Sequence, residues 1–392
     1  MQKRIKRHVR GRSREFFVAA APELIKLCYD ELMALALPLE HARVVSGGIE
    51  IKGRLPVCYL ANLHLRTANR ILMRLDHFAA TNFRQLGKKI VAFPWELYLY
   101  AQTTLTFHVT AKHSRLYHTD AISDIVRTGI ADRLDSRGMP STAVPADGRP
   151  QQIFVRVVDD QFLISIDSSG TNLYKRGLKL QGGPAPLRET LASAVLTLAG
   201  YDGATILLDP MCGTGTFTLE AAMCAAHIPA GWYRTFAFMQ WPAFSPGQWD
   251  YLKKKAGENI RTSAQPQIFA SDKDRPLCTA LSRTVATAGL SPAVKVQCRD
   301  FFDLQLPPGI QNPGLVVFTP PYGRRLGTGQ EGQERIRAIG TKLLGTFPGW
   351  RLGLLVPHKH WLRTLPFDLL THPLQHGGLR LLLAVGTIPA PT

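Results

Sequence analysis

Leu207-Leu208-Asp209-Pro210-Met211-Cys212-Gly213-Thr214-Gly215-Thr216-Phe217-Thr218-Leu219-Glu220-Ala221-Ala222 is the stretch on which the reading of the fold turns. An apolar run from Thr205 to Leu208 reaches an acid, crosses a small-residue loop and enters an alanine-rich helix. Strand, glycine loop and helix N-terminus together turn backbone N–H groups toward a ligand. Gly213 and Gly215 suit such a loop because a residue without Cβ accepts positive φ and permits close approach.

Downstream of this stretch, strand-like and helical segments alternate. Strands are expected at Thr205–Leu208, Gln267–Ser271, Val294–Cys298, Gly314–Phe318 and Arg351–Val356, followed by a hairpin, Leu374–Gly378 and Leu379–Thr387, around Gly377-Gly378. The alternation predicts a mostly parallel α/β sheet with helices on both faces, closed by an antiparallel strand. Asp209, Asp272 and Asp300 follow the first three strands, which places three carboxylates along the rim where open α/β sheets bind ligands. A dinucleotide fingerprint fails, because Thr218 stands where the third glycine belongs and Asp272 lies far past the expected ribose acid. A P-loop fails as well, because no Gly-Lys-Ser/Thr follows. The pattern that remains is a nucleoside cofactor held by the loop and the strand-end acids.

Thr319-Pro320-Pro321-Tyr322-Gly323 follows the fourth strand. Consecutive prolines end a strand and stiffen the chain, so the Pro320 carbonyl can face the cleft. Tyr322 offers a flat face on which a base can stack. Methyl transfer to an exocyclic amine requires an acceptor for its N–H groups and a base held in place, and geometry supplies much of the rate. Two other features weigh less. His358-x-His360 lacks a third ligand at metal spacing, and Cys212 reads as a small residue packed beneath the loop.

The first 170 residues read as short α+β units, with strands at Phe16–Ala20, Arg70–Leu75 and Leu105–Ala111 and a hairpin split by Asp159-Asp160. Asn82 and Thr119 are expected to cap helices. Residues 1–14 carry seven Lys or Arg and no acid, which predicts a solvated, disordered arm able to lie on phosphates. The net charge of +18 favours polyanions, chiefly nucleic acid. Six cysteines without a C-x-x-C pair point to reduced thiols, and no apolar run is long enough to span a bilayer. A cytoplasmic protein without a metal or membrane partner is expected.

Residues 187–388 resemble a class I S-adenosylmethionine-dependent methyltransferase of the RNA guanine-N2 type. The likeness is carried by Ala185–Ala192, Asp209–Glu220, Ile228-Pro229-Ala230-Gly231, Ser271-Asp272 and Pro320–Gly327. The N-terminal half resembles a THUMP domain behind a ferredoxin-like segment, through Arg66–Arg70, Leu116–Ala121 and Lys175-Arg176-Gly177. Beyond the basic tail at 1–14, which it does not cover, the resemblance implies a ferredoxin-like segment at 15–64, a THUMP-like RNA-binding domain at 65–170, a linker at 171–186 and a Rossmann-like methyltransferase domain with a seven-stranded sheet at 187–392. It implies S-adenosyl-L-methionine as cofactor, held by Asp209, Met211, Gly213, Gly215, Asp272, Lys273, Asp300, Phe301 and Thr190. Thr319, Pro320, Pro321 and Tyr322 would be catalytic, with Thr319 standing where the family usually has Asn or Asp. The implied substrate is a guanosine amino group in 23S rRNA. The alternatives are tRNA guanine-N2 methylation, DNA adenine-N6 methylation, and a non-catalytic RNA-binding or assembly factor.

Overall fold

The computed structural model describes residues 1–136, 149–178, 187–263, 265–306, 309–321 and 329–390. They form two compact units, Met1–Leu173 with Arg234–Lys255, and Tyr174–Tyr233 with Ala256–Thr392.

The first unit is built on one seven-stranded sheet. Its strands are β1 (Arg14–Ala19), β2 (His41–Val45), β3 (Gly48–Gly53), β4 (Arg70–Ala79), β5 (Leu105–Lys112), β6 (Gln151–Val158) and β7 (Gln161–Asp167). They are ordered β2-β3-β1-β4-β7-β6-β5. The short α+β units expected from sequence therefore share a single sheet, and β4 is the seam. Its start, Arg70–Met73, pairs antiparallel with β1, while Leu72–Ala79 pairs with β7 past an irregularity between Arg74 and Asp76. The Asp159-Asp160 turn forms as expected, with φ of 51° and 61°, the left-handed pair that joins twisted strands in a two-residue hairpin.

Three sequence expectations are corrected in this unit. Residues 1–14 are ordered: Gln2–Ile5 is helical, Lys6–Arg10 continues as a π-helical turn, and Ile5 and Val9 are fully buried. Two apolar residues four apart make a helical stripe that outweighs the surrounding charge. Arg10 adds a 2.8 Å bond to the Ala243 carbonyl and a second to that of Phe244. Asn82 caps its helix by accepting from the Gln85 N–H at 2.9 Å, but Thr119 does not cap; it is the first helical residue, behind His118. Residues 234–255, placed by sequence in the C-terminal half, pack with the first unit. Their aromatic side chains make the difference: Phe238 stacks on Tyr59 at 4.5 Å, and the Trp241 indole N–H donates to Gln151 at 2.9 Å.

The second unit holds β8 (Leu207–Asp209), β9 (Ile268–Asp272), β10 (Val294–Cys298), β11 (Leu315–Phe318), β12 (Arg351–Val356), β13 (Leu370–His376) and β14 (Leu379–Thr387). Their order is β10-β9-β8-β11-β12-β14-β13. Strands β8 to β12 run parallel, and β14 lies antiparallel to both β12 and β13. Gly377 and Gly378 turn the closing hairpin at φ of 56° and 86°. The chain moves outward from β8 toward β10 and then returns to β11 on the other side, so the crevice of the sheet opens at the C-terminal ends of β8 and β11. No described helix is long and apolar enough to cross a membrane.

Candidate active site

Strand β8 ends in Asp209, which is 1% exposed. Its Oδ2 accepts from the Thr218 N–H at 3.2 Å and from the Thr218 hydroxyl at 2.7 Å, tying the strand to the helix Thr216–Ala225. Asp209 thus faces the first turns of the helix, and its observed work is to fix the angle between loop and helix.

The loop between them uses its two glycines differently. Gly215 sits at φ 76°, and a Cβ there would meet Leu281 Cδ1 at 2.2 Å, so it is glycine because the helix Arg275–Thr287 packs against it. Gly213 sits at φ 53° with no described atom within 4 Å of a would-be Cβ. Open space above a left-handed residue is a cradle into which a ligand can settle. Cys212 precedes it with its N–H on the Ser271 carbonyl at 2.9 Å. Burial pushes the Cys212 thiol well above its usual range, reinforced by the Asp209 and Asp272 carboxylates, which suits packing and not nucleophilic attack.

Asp272 ends β9. Its Oδ2 accepts the Gly213 N–H at 2.9 Å and its Oδ1 accepts the Asp274 N–H at 3.0 Å. A carboxylate has about four acceptor positions, so the half-buried Asp272 retains capacity for hydroxyl donors. Lys273 beside it is exposed. Asp300, two residues past β10, caps the short turn Phe301–Asp303 by accepting from the Phe302 N–H at 3.0 Å. Asp272 and Asp300 therefore lie on the rim of neighbouring strands. Phe301 turns inward: its ring is 2% exposed and lies 5.5 Å from that of Phe318. Met211 packs partly buried against the same core. Thr190 is 3% exposed at the second position of the helix Glu189–Leu198.

Across the crevice, β11 ends at Phe318 and passes into Thr319, Pro320 and Pro321. The Thr319 hydroxyl is buried and has no hydrogen-bond partner among the described residues. Neither proline carries an N–H, so this turn presents acceptors, with the Thr319 hydroxyl able to act either way. Ser271, at the end of β9, holds a second buried hydroxyl without a partner among them; sequence reading gave it no role. Tyr322 lies outside the described residues, as do Gly323–Leu326-Gly327 and Ala185-Pro186.

Sequence reading also passed over the support beneath the loop. Glu220 and Arg176, 2% and 3% exposed, pair at 2.8 and 3.2 Å, and Ser193 donates to the same carboxylate. A glutamate in an alanine-rich helix was the available signal. Its partner, Arg176, lies 44 positions earlier. His358 and His360 stack at 5.3 Å beside Trp361.

Comparison with known proteins bears on this geometry. Residues 176–365 match the RMKL-like methyltransferase domain, and residues 15–72 match the RlmL ferredoxin-like domain. A Synechocystis sp. protein designated an RNA methyltransferase is 31% identical over 86% of this chain and 87% of its own length. The ribosomal RNA large subunit methyltransferase K/L of Methylococcus capsulatus is 33% identical over 88% of this chain, which spans only 47% of that protein. Two solved structures superpose along almost the whole chain. SMU.472, described as a methyltransferase and solved with S-adenosylhomocysteine (SAH), has a TM-score of 0.83 at 25% identity, over 97% of this chain and 99% of that one. A Listeria monocytogenes protein described as an N6-adenine-specific DNA methylase has a TM-score of 0.83 at 26% identity, over 95% and 96%. The chain belongs to the RMKL-like methyltransferase family, a class I methyltransferase fold whose cofactor is S-adenosyl-L-methionine.

Proposed function

We propose that the chain methylates the exocyclic N2 amino group of a guanosine in structured RNA, with 23S rRNA as the substrate. The observation that carries this reading is the end of β11, where a buried Thr319 hydroxyl, unpartnered among the described residues, adjoins two prolines. A buried hydroxyl without a partner is costly unless a ligand completes it. An amino group is the complementary donor.

In this reading, Asp272 and Asp300 receive the hydroxyl and amino donors of the cofactor's nucleoside, while Gly213 leaves room for it. The cofactor supplies a methyl group on a sulfonium, which departs readily. Thr319 and the Pro320 carbonyl accept from the target amine and fix its direction. Tyr322 stacks on the extracted base. Asp209 keeps the loop aligned through Thr218, and Arg176–Glu220 keeps the helix behind it from shifting. The THUMP-like region, 65–170, holds the RNA in the cytoplasm, where ribosome assembly offers it. The net charge of +18 and the rRNA methyltransferase designation of the long relatives support that substrate.

Incubating the purified protein with labelled S-adenosylmethionine and, in parallel, large-subunit RNA, tRNA and DNA, then digesting each to nucleosides, tests the reading. N2-methylguanosine is expected. N6-methyladenine in DNA, the second reading favoured by the description of the Listeria neighbour, would overturn it, and N2-methylguanosine confined to tRNA would change the substrate.

A further inference from the structure

Two cysteines flank the acid at the end of β9, and the proposed mechanism uses neither of them. Cys278, buried in the first turns of the helix Arg275–Thr287, points its Sγ at the carbonyls of Asp272 (3.3 Å) and Gln297 (3.4 Å). Cys298, exposed at the end of β10, pairs in register with Asp272 and approaches the Lys273 carbonyl at 3.7 Å. The carbonyls the two sulfurs approach, those of Asp272 and Lys273, are consecutive along the chain, and the Cys278 Sγ also meets the carbonyl of Gln297, the residue before Cys298. Both therefore sit beside the turn that leaves Asp272, one reachable by solvent and the other not. Asp272 is in turn the residue that fastens Gly213 to β9.

We infer that Cys278 and Cys298 form a thiol–disulfide couple that switches the cofactor loop, with a peroxide as oxidant. The exposed Cys298 thiolate attacks a peroxide oxygen; the O–O bond breaks, hydroxide leaves, and Cys298 becomes a sulfenic acid. The Cys278 sulfur then attacks the Cys298 sulfur. The S–O bond breaks and the departing oxygen leaves as water with the Cys278 proton. Two thiols are oxidised, and one hydrogen peroxide is reduced to two waters. Cys278 is buried and Cys298 exposed, so Cys298 is the residue that meets the oxidant. Forming the bond takes both thiol donors away from the Asp272, Gln297 and Lys273 carbonyls and draws the helix N-terminus toward β10. Asp272 and the Gly213 N–H it holds move with that peptide.

This inference rests on Asp272 as a cofactor residue, and the experiment separates the two claims. The full chain is treated with graded hydrogen peroxide, alkylated and digested with trypsin, and its affinity for S-adenosylmethionine is measured by calorimetry before and after dithiothreitol. The expected result is a link between peptides 274–283 and 296–299, with affinity lowered about tenfold or more and restored on reduction. Cys298→Ser, at an exposed position, should fold normally and keep its affinity through the same treatment. Over-oxidation of Cys298 without a link, a link from Cys278 to Cys212, or the expected link with unchanged affinity would each overturn the inference. A reduced protein that forms the link but never binds the cofactor would instead overturn the cofactor reading of Asp272.

Discussion

The Gly213 N–H donates to Asp272 Oδ2 at 2.9 Å, so the acid that ends the second strand of the methyltransferase sheet also holds the loop that follows the first. Asp272→Ala should weaken S-adenosylmethionine binding more than removal of a single hydrogen bond would, because loop order and a ligand acceptor go together. A loss of about 2 kcal/mol or more, some thirtyfold in affinity, is expected by calorimetry. Asp272→Asn, which can still accept from Gly213, should lie between wild type and Ala. Equal affinity in all three proteins would show that the acid does not hold the cofactor.

The two loop glycines should separate fold from ligand. Gly215→Ala drives a Cβ into Leu281 at φ 76° and should lower stability by about 2 kcal/mol or more. Gly213→Ala meets open space and carries only the backbone penalty of about 1 kcal/mol, yet its methyl occupies the cradle. Thermal melts and cofactor titrations should therefore rank the two variants in opposite order.

Much of this was legible in the sequence because its signals are local. Alternating apolar runs ended by Gly, Pro and Asp placed the strands of the second unit within a residue or two, apart from an earlier start to β13, and the Gly-loop and strand-end acids located the crevice. What stayed hidden depends on distant partners. Ile5 and Val9 look like interruptions in a basic tail until their burial is seen, and Arg10 finds its carbonyls more than 230 residues away. Nothing adjacent to Trp241 tells that its indole meets Gln151. Asp209, Asp272 and Asp300 are alike in sequence; only the hydrogen bonds distinguish the inward acid from the two on the rim.

The ordered N-terminus divides its own cations. Lys3, Lys6, Arg7 and Arg12 are exposed, whereas Arg10 is engaged with Ala243 and Phe244. Replacing an exposed one with Ala should lower RNA affinity without altering the modified nucleotide. It should also flatten the slope of log K against log salt by about 0.9 for each phosphate no longer neutralised. Arg10→Ala should instead lower the melting temperature. A change of target nucleotide in the exposed variants would mean that these residues read sequence or shape.

His64, at the end of the helix Leu55–His64, has its pKa lowered to about 4 by burial, with Arg66 adding to the effect. The folded value lies below the ordinary 6.5, so the unfolded chain binds the extra proton between the two. The stability tied to neutral His64 is present above pH 6.5 and is lost as pH falls through about 4. Melting temperature should drop across that window, and His64→Gln should flatten the drop. A profile unchanged by the substitution would place the acid sensitivity elsewhere.

Thr319 offers the sharpest test, because its hydroxyl is buried without a partner among the described residues. Thr319→Val keeps the branched shape and removes the unsatisfied group, so it should leave stability unchanged or raise it by about 1 kcal/mol. If the hydroxyl awaits the target amine, the same variant should lose about tenfold in methyl transfer, roughly 1.4 kcal/mol in the barrier. Stability and turnover would then move in opposite directions, which general damage to the fold cannot produce. Thr319→Asn supplies a fixed amide oxygen and should retain or raise activity. Methyl incorporation and thermal melts on the three proteins are sufficient. A valine variant with full turnover would transfer the orienting role to the Pro320 carbonyl alone. A wild type that binds RNA tightly but incorporates no methyl group would end the enzymatic reading.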